Sequence, residues 1–417
     1  MLTVVSSLIS ASSLSNMTII NRIILSVASI LLLAGCCNCV YKVTISNPTD
    51  TDRHPEMVEV SLEDVLANLS LAEGENFILK DTEGNELPYQ ITYDGNVIFQ
   101  VTMMAGQEQT YKFAKGTPQE TESLVFGKHY ADKDDDFAWE NDKVGFRVYG
   151  HKLDVASGYD LFCKRGTHLP VLEQLYANEV YSSDAWKRYY ELMAINKEDA
   201  FRFKMDTLSY HVDHGYGMDV YAVGPTLGAG IAALMDNETI SYPYCYETYE
   251  VLDNGPLRFT VKFTFRPIAC GQNKDVIETR IISLDAGSHL NRTKVSYANL
   301  SEPKEIVAGI ILREDGGQWA ADAEKGYISY PAPTQNPDTT QVVNNGIIYV
   351  GHVYPKEVKK AHESHGHILT RSDYSPESEF TYYWGFGWDH ADILSRDQWN
   401  AYLETYASMV RNPLNIN

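Results

Sequence analysis

The chain has 417 residues and a formal net charge of −22 at pH 7. A chain this acidic repels the phosphates of nucleic acids, so we expect no nucleic acid among its partners. Hydrophobic residues make up 44% of the sequence and aromatic residues 12%, which describes a globular protein with a large core. The length is enough for one large domain or two ordinary ones.

The N-terminus has the pattern of an export signal. Residues 19–35 read IINRIILSVASILLLAG, in which Arg22 is the one charge before an apolar run and small residues. Residues 33–36 read LAGC and resemble a lipobox, the signal in which the cysteine is acylated and the preceding peptide is removed. The apolar run is short for a transmembrane helix, which needs about 20 apolar residues, and an uncleaved membrane anchor is the alternative.

We therefore predict that residues 1–36 are a signal peptide and lipobox, with lipidation at Cys36. Because Met17 stands where such a signal normally begins, we interpret residues 1–16 as an upstream start artefact. This signal predicts a lipid anchor in the cell envelope, so the membrane is an expected partner. No acidic run follows Cys36, which favours a periplasm-facing anchor and leaves surface display open.

Most of the remaining chain alternates apolar and polar residues, as half-buried strands do. Residues 41–115 contain YKVTISN and MVEVSL, and turns such as DTEGNE and YDGN, which predict a small N-terminal part resembling a β-sandwich. SLEDVLANL is its one helix candidate. Residues 116–140 carry an acidic run from Asp132 to Asp136, and we interpret this segment as a charged, solvated linker.

Residues 141–417 are predicted to form the main β part. LRFTVKFTFRPI and NRTKVSYANL are clear strand patterns, ANEVYSSDAWKRYYELMAI has a helical pattern, and SRDQWNAYLETYASMVRN is an amphipathic C-terminal helix. Ser395 is its predicted N-cap, and Trp399 and Leu403 belong to its apolar stripe. The fold class is therefore mostly β: a large antiparallel two-sheet sandwich with a small N-terminal β region and a C-terminal helix.

The densest polar segment is residues 210–219, which hold two His, two Asp and two Tyr. His and Tyr can exchange protons with a substrate, so this segment is a candidate catalytic site. The candidate residues are Tyr210, His211, Asp213, His214 and Tyr216. The spacing of the two histidines beside an aspartate would also suit a divalent metal, although no cofactor is predicted. The third interpretation is a polar loop whose histidines bind backbone groups.

Three further segments supply candidate substrate-binding residues. Lys164 and Arg165 are adjacent cations that would suit a sugar carboxylate, unless they are a solvated strand end. Arg147, in VGFRVYG, is a further candidate. Trp384 and Trp388 stand in WGFGWD, where glycines separate aromatic rings. Such rings form platforms for sugars, or they pack the sandwich against the last helix.

Other chemistries lack their signatures. Cys163, Cys245 and Cys270 match no zinc pattern and no disulfide framework, although an exported protein can pair two of them. The chain has no glycine-rich phosphate loop, no GxSxG elbow and no HExxH pair. These absences argue against nucleotide-dependent, serine-esterase and zincin chemistry.

Several segments together resemble an exported family of unknown function, DUF4861, over residues 41–410. The segments are DDFAWEND (135–142), VGFRVYG (144–150), DHGYGMD (213–219), VGPTLGAG (223–230), VLDNGPLR (251–258), ISLDAGSHLN (282–291) and YYWGFGWD (382–389). The resemblance implies a galactose-mutarotase-like supersandwich and a place in polysaccharide utilisation, near pectin- and uronate-degrading enzymes. It implies no catalytic residue. The sequence departs from the family at Tyr216, where an acidic residue is common, and at Tyr159, where a glycine is common.

We therefore expect an exported lipoprotein that acts on uronate-containing oligo- or polysaccharides by β-elimination. A lyase neutralises the sugar carboxylate, removes the C5 proton with a base and protonates the leaving oxygen with an acid. The candidates for these three roles are Lys164 or Arg165, His211 or His214, and Tyr210 or Tyr216.

Two alternatives remain, and fold cannot decide among them. The first is a glycoside hydrolase or sugar epimerase on the same scaffold, with Asp213, Asp219 and Glu278 as candidate acids. The second is a non-catalytic glycan-binding lipoprotein with Trp384 and Trp388 as its platform.

Overall fold

The computed structural model describes residues 40–153, 155–156, 158–166, 171–180, 182–313, 316–334 and 345–417. The predicted signal peptide and the lipidation site at Cys36 lie outside these residues. Within them the chain is mostly β, as predicted, and every pair of neighbouring strands in its sheets is antiparallel. None of the helices in the described ranges has the length and apolar character needed to cross a bilayer.

Residues 40–115 form two small sheets with a shared core. Their elements are β1 Val40–Ser46, β2 Glu56–Ser61, α1 Leu62–Leu69, β3 Phe77–Lys80, β4 Glu86–Leu87, β5 Gln90–Ile91, β6 Asn96–Val101 and β7 Glu108–Lys115. The strand orders are β1-β7-β3-β4 and β2-β6-β5. Val43 and Phe113 of one sheet pack with Phe99 of the other and Val65 of α1. The predicted helix α1 is present, and it begins after Ser61, whose hydroxyl accepts the Asp64 N–H.

The next five strands form one sheet, called the site sheet below. They are β8 Val125–Tyr130, β9 Asp136–Asn141, β10 Gly145–Val148, β11 Asp160–Lys164 and β12 Gly217–Asp219, in the order β12-β11-β10-β9-β8. The charged linker predicted at 116–140 is therefore wrong from Val125 onward. Its acidic run makes the turn between β8 and β9, and both Asp135 and Asp136 are buried. Gly150 packs against Asp135, and Tyr176 of a helix over the sheet contacts Asp136.

Three helices separate β11 from β12: α2 Val171–Glu179, α3 Ser183–Met193 and α4 Lys197–Thr207. The helical pattern predicted at 177–195 covers the end of α2 and all of α3. Helix α4 was not predicted, although Asn196 caps it by accepting the Glu198 N–H at 3.0 Å.

The rest of the chain builds two larger sheets. The elements are β13 Ala232–Asp236, β14 Thr239–Ser241, β15 Tyr246–Asn254, β16 Arg258–Phe265, β17 Ile268–Cys270, β18 Asn273–Asp285, β19 Leu290–Ala298, β20 Lys304–Ile311, β21 Ala320–Asp322, β22 Tyr327–Pro333, β23 Ile347–Val353, β24 Lys360–Ser364, β25 His367–Tyr374, β26 Phe380–Trp388, α5 Arg396–Arg411 and β27 Asn415–Ile416. One sheet has the order β14-β13-β20-β25-β24. The other is nine-stranded, with β15-β16-β18-β19-β26-β23-β22-β21 in order and β17 paired to β18. The short β27 returns to pair with β1.

One continuous apolar core joins the nine-stranded sheet to the site sheet and to the β13 sheet. Trp384 of β26 meets Trp139 and Phe146 of the site sheet at ring distances of 6.4 and 4.9 Å. This layered arrangement is the large antiparallel supersandwich that was expected. Trp384 and Trp388 are only 0% and 2% exposed. The predicted sugar platform is therefore wrong, because both rings fill the core between the sheets.

The C-terminal helix α5 packs on the nine-stranded sheet as predicted. Ser395 caps it by accepting the Gln398 N–H, and Trp399 and Leu403 are buried against Tyr349 of β23 and neighbouring side chains. The described cysteines Cys163, Cys245 and Cys270 are separately buried and form no disulfide with one another.

Candidate functional site

The site sheet has one apolar face and one charged face. Directly paired residues of antiparallel strands share a face, so the pairs Arg147–Asp160 and Phe162–Asp219 fix which side chains lie together. The apolar face, with Trp139 and Phe146, enters the main core. The other face carries Asp136, Glu140, Arg147, Asp160, Lys164 and Asp219, none of them more than 4% exposed.

Helix α2 is the reason why this charged face is buried. Leu172 and Tyr176 of α2 pack with Phe162 of the sheet and with Tyr210 in a separate apolar cluster. The Tyr176 ring stacks on Tyr130 at 3.9 Å, and its hydroxyl donates to Asp136 Oδ2 at 3.0 Å. Charges that would face water on an open sheet are therefore held between a sheet and a helix.

Glu140 and Lys164 form a structural pair within this face. Lys164 Nζ lies 2.5 Å from Glu140 Oε2. The Glu140 carboxylate also accepts the N–H groups of Val171 and Leu172, at 3.1 and 3.0 Å, at the start of α2. The prediction that Lys164 binds substrate is therefore wrong in this structure, because its charge is buried and used to hold a carboxylate that caps a helix.

Arg147 gathers three carboxylates at the other end of the face. Its Nη2 donates to Asp160 Oδ2 and, at 2.8 Å, to Asp219 Oδ2. Its Nη1 lies 3.5 Å from Asp136 Oδ2 and 3.3 Å from the Tyr210 hydroxyl. Three carboxylates exceed the charge of one guanidinium, so the cluster favours retention of at least one proton.

Burial gives two of these carboxyl groups unusual proton affinity. Desolvation raises the pKa of Asp136 to about 6, although Arg147 partly offsets the effect. Desolvation, followed by the charge of Asp219, raises the pKa of Asp160 to about 7. Carboxyl groups that titrate near neutral pH can both give and take a proton, which is the property required of a general acid–base.

A cleft of about 440 Å³ opens over this cluster, and we call it the Arg147 cleft. It is lined by Lys133, Asp134, Arg147, Tyr149, Leu153, Val155, Ala156, Tyr210, Gly224 and Pro225. The Tyr149 hydroxyl accepts from Arg147 Nη2 at 3.2 Å and donates to Asp160 Oδ2 at 3.2 Å. Tyr149 is thus the side chain that links the cleft to the buried carboxyl group of Asp160.

The structure brings two of the predicted catalytic residues to this cluster. Tyr210 lines the cleft and contacts Arg147. His211 lies behind it, with Nδ1 2.7 Å from the Asp219 carbonyl oxygen and 3.8 Å from Asp219 Oδ2. The imidazole therefore contacts the cluster from the side of Asp219, and it is not among the residues that line the cleft.

The other predicted residues of this segment lie farther from the cleft. His214 Nε2 contacts the Ser209 carbonyl at 3.2 Å. Asp213 accepts the N–H groups of Gly215 and Gly217 and pairs with Arg165 at 2.5 Å. Tyr216 packs against the apolar cluster under α2. These contacts fix the shape of the loop that precedes β12, and the proposed catalytic roles of His214, Asp213 and Tyr216 stay predictions.

Arg165 lies on the outer rim of the same loop. Its guanidinium stands 5.1 Å over the Trp388 ring, donates to the His390 carbonyl at 3.3 Å, and pairs with Asp213. Among the hydrolase candidates, Glu278 is 1% exposed and paired with Arg280 inside the sandwich. Glu278 therefore cannot reach a substrate in this structure.

Sequence reasoning missed Asp136, Tyr149 and Asp160. Asp136 was assigned to a linker, and the other two were read as ordinary strand positions. One signal was available in the sequence. Arg147 in GFRVYG and Asp160 in YDLFCK are opposite charges that would lie side by side if these two segments were neighbouring strands. Within the described residues, no group of three or more His, Cys, Asp or Glu side chains is arranged to hold a metal ion.

The fold and this charged sheet define a β-supersandwich with a buried cluster of one arginine and three carboxyl groups. The chain belongs to the family described as Domain of unknown function (DUF4861), whose model matches residues 45–416. It is similar to Uncharacterized protein P7 of Formosa agariphila, with 21% identity over 394 residues that cover 90% of this chain and 92% of P7.

Two solved structures from Enterococcus faecalis are similar at low sequence identity. An alpha-mannosidase has 10% identity and a TM-score of 0.43, with 96% of this chain and 49% of that chain covered. A protein in glycosyl hydrolase family 38 has 8% identity and a TM-score of 0.44, with 96% of this chain and 50% of that chain covered. The chain therefore spans about half the length of each of these two proteins.

Proposed function

We propose that this chain is a saccharide-processing enzyme whose acid–base machinery is Tyr149 with the carboxyl groups behind it. One observation carries the proposal. The hydroxyl of Tyr149, on the wall of the Arg147 cleft, is hydrogen-bonded at 3.2 Å to Asp160, whose pKa is raised to about 7. Proton transfer to or from a bound sugar requires such a group within reach of an open cleft.

The proton path follows from these contacts. When Asp160 is protonated, it can pass its proton to the Tyr149 oxygen while the Tyr149 O–H is donated to a glycosidic or hydroxyl oxygen in the cleft. When Asp160 is ionised, protons move in the opposite direction. The Tyr149 hydroxyl passes its proton to the Asp160 carboxylate while the Tyr149 oxygen takes a proton from the sugar. Arg147 touches both groups and keeps them in register through either state.

The charges at the cleft favour hydrolysis or epimerisation over β-elimination. Elimination from a uronate needs a cation at the sugar carboxylate. Of the cations that line the cleft within the described residues, Arg147 is already held by three carboxylates and Lys133 lies 3.4 Å from Asp134. Lys164 is paired with Glu140. β-Elimination and binding without turnover remain defined outcomes of the test below.

The test is product analysis on a panel of neutral and uronate-containing oligosaccharides by mass spectrometry. We expect products that have gained water, or isomers of unchanged mass, and a loss of turnover of about 10²- to 10⁴-fold in Tyr149→Phe and Asp160→Asn. Tyr190→Phe and Asp206→Asn are matched controls, because both side chains are exposed on the helices outside the cleft.

Three results would contradict the proposal. Unsaturated products, detected by ultraviolet absorbance, would assign β-elimination instead. Full activity in both cleft variants would move the chemistry away from Tyr149. Binding without turnover across the whole panel would favour the glycan-binding alternative.

We also propose that the mature protein is exported and lipid-anchored through Cys36, on the basis of the signal pattern at residues 19–36. Mass spectrometry of the N-terminal peptide from membrane fractions measures this directly. An unmodified peptide that begins at Met1 or Met17 would contradict it.

A further inference from the structure

A second cleft has a volume of about 780 Å³. We call it the Trp319 cleft. Its lining includes Arg313, Gln318, Trp319, Tyr330 and Glu363. An aromatic ring, a cation, an amide and a carboxylate around one hollow are the groups that recognise a polar sugar.

Arg313 is the cation that lines this cleft, and the carboxylate that lines it, Glu363, is held by the indole N–H of Trp319. It donates through Nη2 to the Ala222 carbonyl, and its guanidinium lies 4.8 Å from the centre of the Tyr221 ring. In the described part of the chain, no carboxylate lies within ion-pair distance of Arg313, in contrast to Arg147 and Arg165. A guanidinium held in place by a carbonyl and a ring has donors left for the planar carboxylate of a ligand.

Trp319 is the apolar surface of the same cleft. Its ring is partly buried against the main core, and its indole N–H donates to Glu363 at 2.5 Å. Both contacts fix the ring in one position, so it can receive the face of a sugar at little cost in side-chain entropy. Gln318 is exposed beside it and adds an amide that can bind sugar hydroxyls.

The segment from Tyr221 to Pro225 connects residues of the two clefts. Gly224 and Pro225 line the Arg147 cleft, whereas the carbonyl of Ala222 receives the hydrogen bond from Arg313. Two residues of chain span at most about 7 Å. Ala222, whose carbonyl holds Arg313, is therefore close to Gly224 on the wall of the Arg147 cleft.

We propose that the Trp319 cleft is a subsite that binds a uronyl unit, with the sugar carboxylate on Arg313 and the ring on Trp319. The neighbouring, reacting unit of the oligosaccharide then occupies the Arg147 cleft. This inference rests on the proposed function, which places the reacting unit in the Arg147 cleft. The two cations that line that cleft are already paired with carboxylates, whereas Arg313 offers its guanidinium to an acidic substrate. The substrate class is thus an oligosaccharide with an uncleaved uronate beside the bond or carbon that reacts.

The test compares binding of uronate-containing oligosaccharides with binding of the same compounds after reduction of their carboxyl groups to alcohols. Isothermal titration calorimetry on the full mature chain measures both series. We expect Arg313→Gln to weaken binding of the acidic oligosaccharide by roughly 10- to 100-fold, the effect of one charge-assisted contact, and to leave the reduced compound unchanged. Trp319→Ala is expected to weaken both compounds.

The matched control is Arg188→Gln, since Arg188 is an exposed arginine on α3. Arg313→Lys keeps the charge, and it should recover part of the affinity for the acidic compound. If Arg313→Gln does not fold, the comparison of acidic and reduced compounds on the unmodified chain and on Trp319→Ala still decides the matter.

The inference is overturned if no uronate oligosaccharide binds more tightly than its reduced form, or if Arg313→Gln weakens both forms equally. Failure of the proposed function gives a different result. In that case the selective binding through Arg313 persists, while Tyr149→Phe leaves the products unchanged.

Discussion

Arg147 stands between three carboxylates that would repel one another strongly without it. Since desolvation raises the pKa values of Asp136 and Asp160 to about 6 and about 7, the folded cluster binds protons that an unfolded chain would release. Folding and protonation of these groups are therefore linked. The same linkage gives the site its acid–base character and makes its contribution to stability depend on pH.

The sign of this dependence follows from the direction of the shift. Because the folded pKa of Asp160 lies above the unfolded value, its contribution to the free energy of unfolding falls as pH rises from about 4 to about 7. An asparagine side chain does not titrate, so we expect Asp160→Asn to be free of this pH-dependent decrease. As pH rises from about 4 to about 7, the free energy of unfolding of the variant should therefore rise relative to that of the parent chain by on the order of a few kcal/mol.

Urea denaturation at about pH 5 and about pH 8 measures the difference. Asp206→Asn, on the exposed face of α4, is the control and should follow the parent chain at both pH values. Parallel pH profiles for Asp160→Asn and the parent chain would show that Asp160 is ionised throughout.

At the residue scale, sequence predicted part of this site and could not predict the rest. Arg147 and Tyr210 were candidates and meet at 3.3 Å. Lys164, Trp384 and Trp388 were candidates for substrate contact and are buried instead. A charge at an alternate strand position normally faces water, and nothing in the local sequence shows that a helix from a later segment will cover it.

Among the elements, α2 depends on the strand pair beneath it. Its first N–H groups have no partners within the helix, and Glu140 of β9 accepts two of them while holding Lys164 of β11. Sheet and helix are thus joined by one buried ion pair. Burying such a pair costs the free energy of desolvating both charges. Replacing only one of the two residues leaves the other charge buried without a counter-ion.

We expect Glu140→Leu to lower the free energy of unfolding by about 3–5 kcal/mol, because the charge of Lys164 is then buried without a counter-ion. The double variant with Lys164→Met should recover at least half of that loss, since the unmatched charge is gone. Chemical denaturation of both single variants and the double variant gives the coupling. In contrast, Glu191→Leu removes an exposed pair with Arg188 on α3 and should change stability by less than about 1 kcal/mol.

Elements with a local signature were predictable, and elements defined by their partners were not. Ser61 and Ser395 cap α1 and α5 where the sequence indicated. By contrast, β8 and β9 flank an acidic turn whose composition suggested a linker. The buried position of Asp136 depends on Arg147 and Tyr176, which lie 11 and 40 residues away in the chain.

At the scale of the whole molecule, the first and last strands of the described residues pair with each other. Ile416 of β27 pairs with Ile45 of β1, and the Arg53 guanidinium donates to the Asn412 carbonyl at the end of α5. The side chain of Gln90 is also buried against the main part, where its amide oxygen accepts the N–H of Arg258 at 2.8 Å. The N-terminal sheets are therefore held to the supersandwich by hydrogen bonds at several places.

The alkylation rates of the three buried cysteines can report separately how often three different regions open. Cys163 lies on the site sheet, Cys270 ends β17, and Cys245 precedes β15. Burial raises the pKa of each thiol, so a thiol-directed reagent reacts with each only when its surroundings open. Peptide mapping after timed alkylation would then report, sulfur by sulfur, whether the sheet that carries the acid–base cluster opens sooner than the rest of the sandwich.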